Sequence, residues 1–142
     1  MLLNQTVEYA LRAMATLANA DPERLVTSEE IAEQAAIPGH YVSKVMRQLV
    51  VARLVRGKRG RGGGFRLARS PGEIAFVDVI KAVDGWPEPD HCAFGHERCN
   101  LQAPCPLHPT WTRLNDMLEA WAMSTTLEDV GSLENLGHAL AD

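Results

Sequence analysis

Apolar residues at Val7, Leu11, Met14, Ala15 and Leu17 recur close to the helical period, so the chain is expected to begin with an amphipathic helix. Thr27-Ser28-Glu29-Glu30 has the Thr-x-x-Glu form of a capping box, in which each side chain satisfies an orphan backbone N–H. It predicts a second helix running to about Ala36. Pro38-Gly39 breaks that helix, and Val42, Val45, Met46 and Leu49 mark a third by their i, i+3, i+4, i+7 spacing. The opposite stripe of the third helix, His40, Ser43, Lys44 and Arg47, is polar and basic. Two short helices around a tight glycine-containing turn, the second basic on its outer face, form a helix-turn-helix unit.

Leu54-Val55-Arg56 and Phe65-Arg66-Leu67 read as short strands flanking Gly57-Lys58-Arg59-Gly60-Arg61-Gly62-Gly63-Gly64, a hairpin with a basic, glycine-rich tip. Ser70-Pro71-Gly72-Glu73 opens a further helix, with Ile74, Val77, Val79, Ile80 and Val83 as apolar positions and Asp84-Gly85 as its stop. Periodicity then disappears between Pro87 and Pro109, where five of the eight prolines prevent a helix or a central strand. Trp111, Leu114, Met117, Leu118 and Trp121 trace an apolar face on a long final helix. That face has a plain reading as packing within its own domain, but after so small a domain it points to a partner subunit.

The expected fold is therefore mainly α with a small β-hairpin wing (α+β). It consists of a winged helix-turn-helix over 1–85, a cysteine-rich loop over 86–108, and a dimerisation helix with a C-terminal segment over 109–142. The length of 142 residues matches one domain, and 46% hydrophobic with 23% charged residues is an ordinary globular composition. The first residues lack a basic region followed by an apolar run, and the longest charge-free stretch, Cys99 to Thr112, is short and rich in proline. A cytoplasmic protein with no membrane segment is expected.

The net charge of −4 conceals a polarised chain. Lys44, Arg47, Arg53, Arg56, Lys58, Arg59, Arg61, Arg66 and Arg69 lie between Gln34 and Gly72 with no acidic residue among them, and all 18 acids lie elsewhere. A one-sided basic field attracts polyanions and gains affinity by releasing counterions from phosphates; its plain alternative is a solvated basic surface. The glycine-rich tip is not a phosphate loop. No glycine lies five residues before Gly57-Lys58, and Phe65 stands where Gly60-x-Gly62 would need a third glycine. A flexible turn or a DNA-binding wing remains, and the adjacent helix-turn-helix favours the wing. The expected DNA contacts are Ser28, His40, Tyr41, Ser43, Lys44, Arg47 and Gln48, with Lys58, Arg59 and Arg61 on the wing, on double-stranded, palindromic DNA.

Cys92, Cys99 and Cys105 are separated by six and five residues, and His108 follows after two more. Three cysteines do not make a simple disulfide framework. Thiolates with a fourth nitrogen or oxygen ligand suit a soft or borderline metal, so zinc or an iron-sulfur centre is open from spacing, beside three unrelated thiols. His91, His96 and His138 carry no such signal. No Ser-His-Asp set or paired carboxylates support hydrolysis, and an enzyme is not expected.

Tyr9-Ala10-Leu11-Arg12-Ala13, Arg59-Gly60-Arg61-Gly62-Gly63-Gly64-Phe65-Arg66-Leu67, Asp78-Val79-Ile80-Lys81-Ala82-Val83-Asp84-Gly85 and the three cysteines together resemble the Rrf-two superfamily of bacterial winged-helix regulators, over nearly the whole chain. The resemblance implies a homodimeric transcription factor, a repressor in the expected direction, in which the cysteines hold a two-iron or four-iron cluster. That cluster would sense nitric oxide, redox state or iron-sulfur supply. IscR-like members add a histidine corresponding to His108, and NsrR-like members an acid from the other subunit corresponding to Glu8. The alternatives are a zinc-stabilised or metal-free DNA-binding regulator, and a small redox or electron-transfer protein, which would leave the basic segment without a role.

Overall fold

Helix α1 (Gln5–Ala18) begins where the Asn4 side chain accepts a hydrogen bond from the Val7 N–H at 3.0 Å, in a computed structural model that describes residues 3–83, 86, 91–96 and 98–130. Its buried stripe includes Val7, Ala10, Met14 and Leu17. Helix α2 (Ser28–Ala35) carries the expected capping box: Thr27 Oγ1 accepts from Glu30 N at 3.2 Å, and Glu30 Oε2 accepts from Thr27 N at 3.0 Å. Ala36 then adopts a left-handed conformation, and Pro38 leads into α3 (Gly39–Val51). The apolar stripe of α3 lies in the core, with Val45, Met46 and Leu49 fully buried.

Strands β1 (Val55–Lys58) and β2 (Gly64–Leu67) form an antiparallel hairpin with Val55 opposite Leu67 and Lys58 opposite Gly64. Val26 and Phe65 exchange backbone hydrogen bonds at 2.8 Å each way, so the segment before α2 extends the hairpin. The hairpin stem is thereby clamped to the body, and only the tip from Arg59 to Gly63 projects. The tip needs its glycines. A Cβ on Gly63 would lie 2.2 Å from the Lys58 carbonyl oxygen and 2.8 Å from that of Gly60, both rigid backbone atoms. Gly63→Ala is therefore expected to displace the tip and weaken DNA binding by about tenfold, while a strain of roughly 1–3 kcal/mol lowers the melting temperature by several degrees without unfolding the protein. An electrophoretic mobility titration beside a thermal melt checks this.

The chain after the hairpin departs from the expected continuous helix. Pro71–Glu73 forms only a 3-10 turn, Ala75 pairs with Thr126, and α4 (Phe76–Val83) starts after that bridge. The physical reason is tertiary: Ile74 is fully buried and its carbonyl accepts the Leu127 N–H at 3.1 Å, while Phe76 N donates to Thr125 O at 2.8 Å. These bonds fix the backbone in an extended form. Asp84 and Gly85, the expected helix stop, lie outside the described residues, as does His138. Residues 91–96 and 98–107 contain turns and bends but no helix or strand, as the prolines require. Helix α5 (His108–Ser124) follows, and a 3-10 turn at Leu127–Val130 returns to the core through buried Ala122 and Leu127. No helix among the described residues is long and apolar enough to cross a membrane.

Candidate nucleic-acid interface and cysteine loop

The core stripe of α3 fixes its opposite face outward, so His40, Ser43, Lys44 and Arg47 are all exposed along one side. Lys58, Arg59 and Arg61 are exposed on the hairpin that follows. A major groove admits an α-helix, and α3 carries a basic outer face beside a basic hairpin. Ser28 is half-buried at the first position of α2.

Tyr41 and Gln48 sit differently from the rest of this face. Tyr41 is half-buried and packs edge-on against Tyr9 of α1, with ring centroids 5.2 Å apart, and the His40 ring centroid lies 4.7 Å from its own. The Arg12 guanidinium in turn lies 5.7 Å from the Tyr9 ring centroid. Gln48 donates from Nε2 to the Val83 carbonyl at the end of α4 at 3.2 Å, and its Oε1 is buried without a hydrogen-bond partner. Both side chains brace α3 from within. The i+7 spacing from Tyr41 to Gln48 places them on one helix edge, but sequence does not reveal that neighbours α1 and α4 occupy that edge.

The cysteine loop leaves α4 and ends at α5. Cys92 is buried, Cys99 half-buried and Cys105 exposed, and no disulfide joins them. Phe94 N donates to Cys92 Sγ at 3.4 Å, and Cys99 Sγ lies 3.9 Å from the His91 carbonyl oxygen. Trp111 of α5 donates its indole N–H to that same carbonyl at 2.7 Å, which ties the loop to α5. His108 is the first residue of α5, not a loop residue; its Nδ1 is buried without a partner, while Nε2 lies 3.5 Å from Thr112 Oγ1. Glu8 is half-buried on α1.

Three thiols and a buried, unpartnered imidazole nitrogen suit a soft or borderline metal centre, so the donor chemistry fits an iron-sulfur cluster or zinc. The geometry is open: among the described residues no three Cys, His, Asp or Glu side chains converge as a metal site. Metal sites in irregular loops are often organised by the metal they bind.

Helix α5 leaves most of its apolar face uncovered. Met117 is 69% exposed, and Leu114 and Trp121 remain open to solvent although Trp121 meets Phe76 edge-on at 5.4 Å. Within the chain α5 buries only Ala122 fully.

Residues 3–132 match the family model Rrf2, described as an iron-dependent transcriptional regulator. The chain is 31% identical over 141 residues to the HTH-type transcriptional regulator NsrR of Geobacillus kaustophilus, covering 96% of each. It is 32% identical over 130 residues to IscR of Photorhabdus laumondii, covering 92% of this chain and 79% of that one. Its structure is similar to that of CymR, the global cysteine regulator of B. subtilis, with a TM-score of 0.76, 26% identity, and coverage of 92% and 95% of the two chains.

Proposed function

Because the chain belongs to the Rrf2 family of DNA-binding transcriptional regulators, which are not enzymes, we propose that it is a homodimeric repressor controlled by an iron-sulfur cluster. The cluster is held by Cys92, Cys99 and Cys105 with His108 as fourth ligand. It acts in the cytoplasm on a palindromic operator. The observation that carries the choice of His108 over Glu8 is the buried Nδ1, which has no other partner and whose burial costs free energy until something binds it. A bound cluster would supply a centre reactive towards nitric oxide and oxidants.

The chain's own residues supply the connection. The loop runs from α4, whose last carbonyl holds Gln48 of α3, to α5, whose Trp111 holds the loop at His91. A change in how the loop is held thus reaches the groove-facing helix at one end and the exposed face of α5 at the other. His40, Ser43, Lys44 and Arg47 face the major groove, Ser28 lies at the adjoining helix start, and Lys58, Arg59 and Arg61 follow the flanking minor groove. Tyr41 and Gln48 hold α3 at the angle that this requires.

Arg61→Ala is expected to weaken binding and to flatten the dependence of log K on log salt by about one unit, the loss of one phosphate contact. An unchanged affinity and slope would remove the hairpin from the interface. The cluster itself is tested by the visible absorption spectrum with iron, sulfide and zinc analysis on protein purified without oxygen. Brown protein with matching iron and sulfide is the expected result. Colourless protein with stoichiometric zinc would establish the zinc-stabilised regulator instead.

A further inference from the structure

A hollow of about 340 Å³ lies at the stem of the hairpin, remote in sequence from the cysteine loop, between the α1–α2 connection and the segment from β2 to Pro71. Ala18, Ala20, Leu67 and Pro71 give it apolar walls, and Arg66 and Arg69 line it, Arg69 standing also at the adjoining hollow that contains Asp78. The volume lies at the small end of ligand pockets, which run from about 300 to 1,000 Å³ and combine apolar walls with few polar groups.

The charges at this hollow are unbalanced. Its one acid, Asp21, accepts the Glu23 N–H at 2.9 Å, and its single charge is outnumbered by those of Arg66 and Arg69. Arg24 is ion-paired with Glu30 of α2. Arg66 and Arg69 have no ion-pair partner among the described residues. Guanidinium forks match the geometry of a carboxylate, and apolar walls select a ligand that is more than a bare ion.

We infer that this hollow is a binding site for a small organic carboxylate with an apolar body. Its carboxylate meets Arg66 and Arg69, and its body lies against Ala20, Leu67 and Pro71. Such a ligand would bridge the α1–α2 connection and the hairpin stem, which are otherwise joined by the Val26–Phe65 pair, while Ala68 N bonds Leu54 O at the α3–β1 junction at 3.0 Å. Occupancy is therefore coupled to hairpin placement, and by linkage DNA and ligand alter each other's affinity by the same factor. The coupling rests on the DNA-binding reading, whereas the binding itself does not.

The test is titration of the whole protein with indole-3-acetate as probe, followed by amide chemical shifts. The expected result is saturable binding with a Kd of about 1 mM or tighter. Shifts should be confined to Ala18, Ala20, Leu67, Ala68 and Ser70, be lost in Arg66→Gln/Arg69→Gln, and be absent with neutral indole-3-acetamide. Equal binding of the amide, shifts centred on α5, or no saturable binding would each overturn the site. An absence of probe binding, with a shallower salt dependence of DNA affinity in the double variant, would reassign the two arginines to phosphate contact. A saturating probe that leaves DNA affinity unchanged would retain the site and contradict its coupling.

Discussion

Met117→Glu is expected to convert the protein to monomers and to lower its affinity for a two-half-site operator by about 10²–10⁴-fold, the range in which joining two binding modules raises avidity. Met117 is 69% exposed at the centre of an apolar face that also shows Leu114 and Trp121, and an isolated chain buries none of these three fully. A carboxylate there costs little in a monomer, because the position is already open to water. In a packed interface it would be a buried, unpaired charge and would oppose association strongly. Sedimentation velocity gives the oligomeric state, and helical circular dichroism establishes that the fold is intact. A dimer that survives the substitution would place the subunit contact elsewhere and remove α5 from the account.

Cys99→Ala is expected to abolish the visible chromophore and, with it, any response of DNA binding to nitric oxide or oxidant. The alanine chain is expected to fold, since Cys99 lies outside the buried core and outside every helix and strand. Loss of one of three thiolates leaves too few ligands for a cluster bound by cysteines. DNA binding should persist at one fixed, weaker affinity, because the core stripe of α3 keeps His40, Ser43, Lys44 and Arg47 exposed while the loop no longer adjusts the helix that carries them. His108→Ala separates the fourth-ligand alternatives: a changed spectrum supports His108, whereas an unchanged spectrum that is altered by Glu8→Gln supports the acid from the partner subunit.

The helix-turn-helix was legible because its signals are local. The Thr27–Glu30 capping box, the Pro38-Gly39 break and the stripe of Val42, Val45, Met46 and Leu49 each need only a few adjacent residues, and each took the expected form. The hairpin was equally local, with strand limits shifted by one or a few residues. What failed was long-range. The segment Ile74–Ala75 reads as helical, but Thr125–Leu127 captures its backbone from the far end of the chain. Tyr41 and Gln48 share polarity with the exposed residues of α3, and their packing on α1 and α4 was not legible in the sequence. The cysteine pattern raised zinc or an iron-sulfur centre through residue type and spacing without choosing between them, while the burial of His108 Nδ1 at the start of α5 is a property of the folded chain.

Control of DNA binding by the cysteine loop is tested most directly by one comparison on a single anaerobic preparation. Affinity for a duplex that the protein selects from a random pool is measured before and after removal of the metal centre, at one salt concentration. The account predicts tighter binding with the centre in place, by a factor within about 5–150, the usual range of coupling between two sites. Equal affinities before and after removal would contradict it, and would leave a DNA-binding regulator whose cysteine loop has no part in control.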